Sequence, residues 1–170
     1  MGNVIRPTAG CWALLGLLSA VMLMPPVAGH AQSGRKPTAQ ETAAIRACAA
    51  KYEDDVEAAE QHCIFDLVAT PCANAPAGAA NLDAADCYRI EQAIWDDLLN
   101  ENYKSLQDQL DDGQKAKLRA MQRAWIGYRD TTCAFYMDKA QGSMAIPMQS
   151  ACAARETGRR ALLLKFFAGL

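Results

Sequence analysis

From residue 83 onward the apolar side chains of this chain recur every three or four positions. Ile90, Ile94, Trp95, Leu98, Leu99, Tyr103, Leu106 and Leu110 form one stripe, the signature of an amphipathic helix with one buried face. The pattern predicts a helix from about Asp83 to Leu110, broken by Asp111-Asp112-Gly113. A second helix follows from about Gln114 to Lys139, with Leu118, Met121, Trp125, Tyr128, Thr132 and Tyr136 along one face. Gln141-Gly142-Ser143 and Pro147 mark a turn region, and a last helix spans about Gln149 to Phe167. Upstream, Thr38-Ala-Gln-Glu41 has the spacing of a capping box and predicts a helix running unbroken to about Cys63. Pro71, Pro76 and Gly78 then make a loop. No alternating strand pattern and no internal repeat occurs. The expected fold is all-α, a small disulfide-bonded helical bundle.

The first 31 residues read differently. Arg6 is followed by a run of about a dozen uncharged apolar residues from Trp12 to Met24, closed by Pro25-Pro26. Ala28-Gly29-His30-Ala31 comes next and places the small residues Gly29 and Ala31 just before a predicted cut after Ala31. That layout is a secretory signal peptide, and the run is too short to span a bilayer. The expected organisation is a signal peptide over 1–31, a cysteine-containing helical extension over 32–82, and a helical domain over 83–170. Removal of Arg6 leaves 16 basic against 19 acidic residues, a net charge of −3, which gives no general attraction to nucleic acid. No later run is long enough to cross a membrane. Export implies the periplasm or the extracellular space.

Six cysteines remain after the cut: Cys48, Cys63, Cys72, Cys87, Cys133 and Cys152. An even count in an exported chain points to three disulfides. Cys133 lies near the end of one predicted helix and Cys152 near the start of the next. The short connection makes these helices antiparallel neighbours, so this bond is favoured, and closing its 18-residue loop contributes roughly 3 kcal/mol. Cys48 and Cys63 lie about 22 Å apart along a straight helix. They are therefore excluded as partners if that helix is unbroken, and each is expected to bond Cys72 or Cys87.

Chemistry is sparse. His62 is the one histidine after the cut, no C-x-x-C pair exists, and no metal or cofactor is expected. Nucleophile elbows and glycine-rich phosphate loops are absent. Asp96, Asp97, Asp108, Asp111 and Asp112 read as solvated charge. These features argue against an enzyme.

Charge is segregated between neighbouring helices. Residues 89–112 carry seven acids, Glu91 among them, against Arg89 and Lys104; residues 115–130 carry five bases against Asp130. Either the two helices have complementary faces, or the charges form an interaction surface. In the second reading an acidic patch speeds encounter with a cationic partner, and an arginine pairs with carboxylates in that partner's groove.

The densest signal is Gln122-Arg-Ala-Trp-Ile-Gly-Tyr-Arg-Asp130 followed by Cys133. Upstream stand Cys87, Glu91, Trp95-Asp96, Leu99-Asn100, Tyr103 and Leu106. Downstream stand Gly142-Ser143, Cys152, Glu156-Thr157, Arg160 and Leu163. In this order these segments, over about 83–165, resemble the LprI-like lysozyme-inhibitor domain family. Gln141 replaces a glycine that the family often has in its turn. The resemblance implies a helical envelope protein that inhibits lysozyme or another cationic muramidase and so protects peptidoglycan. The alternative is a structural or stress-related envelope protein without that activity. Trp95, Asn100, Tyr103, Trp125, Tyr128 and Asp130 are expected to serve the fold, with Asn100 in a buried hydrogen bond, Trp125 and Tyr128 on the buried face, and Arg129 and Asp130 in ion pairs between helices. Gly142, Ser143 and Met144 in the turn, with Asp96, Asp97, Arg123 and Arg129, are the candidate binding residues.

Overall fold

A computed structural model describes residues 34–78 and 80–170. The expected signal peptide lies outside the described residues. Within them, six α-helices follow one another: α1 (Ala39–Lys51), α2 (Val56–Cys63), α3 (Ala69–Asn74), α4 (Asn81–Gln109), α5 (Asp112–Lys139) and α6 (Ala145–Gly169). Short 3-10 turns at Pro76–Gly78 and Gly142–Met144 precede α4 and α6. Among the described residues there is no strand, so the protein is all-α.

Three helix starts, those of α1, α2 and α5, are capped by side chains. The Thr38 hydroxyl accepts from the Glu41 amide at 3.2 Å, and the Glu41 carboxylate accepts from the Thr38 amide at 2.8 Å, satisfying two amides that α1 leaves open. Arg35 adds two hydrogen bonds to Glu41, at 2.9 and 2.6 Å. These hold the Glu41 carboxyl down at about 2. Asp111 and Gln114 build the same reciprocal box at the start of α5. The break after α4 is therefore confined to Leu110 and Asp111, and Asp112 and Gly113 already belong to α5. Pro147 lies in the first turn of α6, where its missing N–H removes no helical hydrogen bond.

The helix expected over 38–63 is two helices. α1 stops at Lys51, and Asp55 caps α2 by accepting from the Ala58 amide at 2.9 Å. Three consecutive acids, Glu53-Asp54-Asp55, follow the end of α1, where the helix dipole disfavours negative charge. Lys165 of α6 meets that end, donating to the Ala49 carbonyl at 3.2 Å. The fold-back brings the Cα atoms of Cys48 and Cys63 to 5.7 Å, and the two are bonded. The exclusion of this pair rested on a straight helix and is overturned by the break. Cys72 bonds Cys87, tying α3 to α4, and Cys133 bonds Cys152, tying α5 to α6.

The three long helices run up, down and up. Asn81 meets Ser143, and Asn102 donates to the Ala161 carbonyl at 2.9 Å, so α4 and α6 are parallel. Gln122 meets Arg160 and Cys133 meets Cys152, so α5 is antiparallel to α6. The α4–α6 contact is the most extensive in the molecule. Gly158 makes it close: a Cβ there would lie 3.0 Å from Ile64 and 3.2 Å from Trp95. One core unites α1 and α2 with α4 and α6. Ile45, Ala49 and Ala59 pack with Ile64, Val68, Ile94, Trp95, Leu162 and Leu164, and Leu118 joins from α5.

A buried carboxylate organises the N-terminal half. Glu91, one of the seven acids of the acid-rich segment, is fully buried. It accepts from the Phe65 amide at 2.7 Å, the Ala69 amide at 2.9 Å and the Trp95 indole at 3.0 Å. Phe65 has a φ of 77°, a left-handed conformation that costs on the order of 1–3 kcal/mol outside glycine. Glu91 thus holds a strained turn and the start of α3 against α4. Burial pushes its carboxyl above the ordinary range, against the lowering effect of the three donors.

Candidate binding surface

α5 is the least covered of the long helices. Of its residues only Leu118 and Cys133 are buried. Its inward side is a row of partly covered groups centred on Trp125. The guanidinium carbons of Arg129 and Arg160 lie 4.9 and 5.6 Å from the Trp125 ring centre, within cation–π range. Arg160 is 6 % exposed. Its Nε donates to Gln122 at 2.9 Å, and its buried Nη2 has no partner. Burial lowers its hold on the proton.

Large apolar side chains face outward. Ile126, Tyr128, Phe135 and Met137 on α5 are exposed, and so are Met144 and Met148 at the corner with α6. At about 100° per residue, Tyr128 and Phe135, seven apart, share one flank of α5; Ile126 and Met137, eleven apart, share the other. The two flanks are about 160° apart around the axis, so α5 leaves apolar side chains uncovered on both sides of its outer face. Tyr128, expected on the buried face, is 54 % exposed, while Trp125 is half-buried as part of the inward row.

The charges of α5 are equally uncommitted. Lys115, Lys117, Arg119 and Arg123 form no ion pair among the described residues, and none joins α4 to α5. Glu101 of α4 pairs instead with Arg46 of α1 at 2.6 Å, and Arg89 with Asp86 at 2.6 Å. Among the described residues, no ion pair realises complementary faces between α4 and α5.

The candidate binding residues fall in separate places. Gly142, Ser143 and Met144 are exposed in the turn; Gly142 has a φ of 71°, and Ser143 accepts from Asn81 at 2.8 Å. Arg123 is exposed on α5. Arg129 bonds its neighbour Asp130 at 2.8 Å, so this pair bridges no two helices. Beside it, Arg89, Gln92, Arg129, Gln149 and Ser150 line a polar cleft of about 320 Å³. Asp97 lies near Arg46 of α1. It is sixteen residues from Asn81, or about 24 Å along the helix, so the acidic pair and the turn form no single patch. Asp96 accepts from Asn100 at 3.2 Å. Asn100 is exposed, and the cross-helix amide is Asn102. Trp95 is fully buried and Tyr103 partly so. Among the described residues no group of histidine, cysteine or carboxylate side chains is arranged to hold a metal ion, and no helix is long and apolar enough to cross a membrane. His62 stacks on Tyr52 across the α1–α2 break.

Sequence reasoning missed Phe65, Asn102 and Phe135, and noted Gln122 and Ile126 only as members of the 122–130 motif. Asn102 was readable: it lies seven residues beyond Trp95, in the stripe itself.

Helices clamped by three disulfides, with one long helix left largely open, define a small disulfide-stapled helical-bundle protein. Within that class, the chain belongs to the family described as Lysozyme inhibitor LprI, whose model matches residues 72–164. The matched span includes two disulfides, all of α4 and α5 and most of α6; α1, α2 and Cys48–Cys63 precede it. Searches of curated proteins and of solved structures find no match.

Proposed function

We propose that the protein works outside the cytoplasm, in the periplasm or secreted, as a binding protein that inhibits lysozyme, and that the outward ridge of α5 is its docking edge. The observation that carries this reading is the open outer face of α5: exposed Tyr128 and Phe135 on one flank, and exposed Ile126 and Met137 near Arg119 and Arg123, in no ion pair among the described residues, on the other, in a chain of a lysozyme-inhibitor family. Exposed Tyr128 and Phe135 have the character of interface anchors. Glycosidases of the lysozyme type work with two carboxylates across a cleft, and Arg119 and Arg123 carry the charge such a cleft attracts. The net negative charge of the chain and its Asp96–Asp97 segment support long-range attraction to a basic enzyme. Gly142, Ser143 and Met144 extend the ridge at the corner, and Arg129 supports it by stacking on Trp125. Three disulfides suit an oxidising compartment.

The test is a cell-wall lysis assay in which the disulfide-bonded protein is titrated into lysozyme at low and high salt. Inhibition should saturate near equal molarity and weaken with salt. The double variant Tyr128→Ala, Phe135→Ala should inhibit at least about tenfold less, since anchor residues are worth about 2 kcal/mol or more, while keeping its helical circular dichroism. Full inhibition by that variant rules out the α5 ridge. No inhibition of any lysozyme type by the native protein leaves a structural or stress-related envelope role.

A further inference from the structure

We infer a second binding site, for a short zwitterionic peptide, in the cleft between α2 and α6. This open cleft has a volume of about 550 Å³, within the size range of small-ligand sites. Its floor is Ile64 and Phe65; its walls present Glu57 and Glu60 from α2 and Arg155 and Arg159 from α6. Arg159 spans it to Glu60 at 2.8 Å. That leaves one charge of each sign open. Glu57 is in no ion pair among the described residues, and Arg155, also in none, lies with its guanidinium carbon 5.1 Å from the Phe65 ring centre.

A further observation says that the cleft is built. Its floor residue Phe65 is held at positive φ by the buried Glu91 carboxylate, and strain retained at a surface cleft is characteristic of ligand sites. Its α2 wall and floor lie before residue 72, outside the family match, and its α6 wall lies inside it.

The charges select the ligand. A neutral sugar would leave Glu57 and Arg155 unpaired, and a purely anionic ligand would face Glu57 and Glu60. A peptide with an ammonium toward Glu57, a carboxylate toward Arg155 and an apolar side chain on Ile64 and Phe65 satisfies all three surfaces. This site is separate from the α5 ridge and stands or falls independently of lysozyme inhibition.

The experiment is a titration followed by amide chemical shifts, using alanyl-phenylalanyl-alanine with free termini, its N-acetylated form and its C-amidated form. The free peptide should saturate at millimolar concentration or below and shift the amides of Ile64 and Phe65. Each capped form should bind at least about tenfold more weakly, and Arg155→Gln should weaken the free peptide by the same factor and lose the preference over the amide. The capped peptides keep the test decisive even where a variant does not fold. Absence of shifts at Ile64 and Phe65, or equal binding of all three peptides, overturns the site.

Discussion

Replacing Glu91 tests whether one buried carboxylate holds the N-terminal half of the molecule in place. Its Oε1 accepts from the Phe65 amide and the Trp95 indole, and its Oε2 from the Ala69 amide. Glu91→Ala strands three donors in a water-poor site. Each stranded donor costs about 1–3 kcal/mol, and release of the strain at Phe65 returns a similar amount once. The net loss should be about 4 kcal/mol, a large part of the roughly 5–15 kcal/mol typical of a domain. Glu91→Gln keeps an oxygen at the Oε1 position and sets an amide against one N–H. It should cost only about 1–2 kcal/mol. Urea denaturation with the disulfides intact measures both. Hydrogen exchange should quicken first at Phe65 and Ala69. A loss under about 1 kcal/mol for Glu91→Ala, or an equal loss for both variants, refutes the account.

The same residue gives a pH signature. Burial raises the folded carboxyl above its ordinary value of 4.5, so the folded state holds the proton longer than the unfolded chain. The contribution of Glu91 to stability is then full below about 4.5 and falls as pH rises through the folded value. Glu91→Gln should remove that downward slope.

The other carboxylate of note has the opposite sign. Arg35 holds Glu41 down at about 2 from an ordinary 4.5, so its contribution is present above the ordinary value and is lost as pH falls toward the folded one; Glu41→Gln should flatten the acid limb of a stability–pH curve. Replacing both Cys48 and Cys63 with serine opens a loop of separation 15 and should cost about 3 kcal/mol, read from the urea midpoint, while peptide mapping of the native protein should recover Cys48 joined to Cys63 and not to Cys72 or Cys87. Gly158→Val forces a side chain toward Ile64 and Trp95, where even a Cβ is within 3.2 Å; the expected loss is about 2–3 kcal/mol in thermal unfolding, and an unchanged midpoint would show that α4 and α6 have room to separate.

The stripe spacing made α4 legible because it buries one face in the core; it made α5 legible too, although only Leu118 of that stripe is buried. The Cys133–Cys152 neighbourhood was legible because a short turn leaves two helices few arrangements. The break between α1 and α2 was not, since no proline or glycine lies between Thr38 and Cys63. The relevant signal was electrostatic: three acids at a helix end, followed by a residue able to cap the next helix. Tyr128 misled for a geometric reason. It follows Trp125 by three positions, about 60° to one side, whereas the covered row of α5 runs through Leu118, Gln122, Trp125, Arg129 and Cys133 on the other side. An aromatic at helical spacing is compatible with the edge of a stripe as well as its centre. Glu91 was hidden by its neighbours in sequence, although its position four residues before Trp95 lies in the buried stripe.

The covering of α5 bears on why the ridge exists. A surface helix in a globular protein draws most of its stability from a packed apolar face, and this one buries only Leu118 and Cys133. What secures it instead is local and covalent: the Asp111–Gln114 box at its start, the Cys133–Cys152 bond near its end, and the stack of Arg129 and Arg160 on Trp125 midway. These devices hold a helix rigid without covering its outer side. Arg160 illustrates the cost, since its buried Nη2 goes unpaired to keep a cation under the ring. A helix fixed in this manner presents Tyr128 and Phe135 already in place, so little conformational entropy is lost when a partner meets them. Were α5 simply a third layer of the core, its apolar residues would turn toward α4, and its bases would meet the acids there.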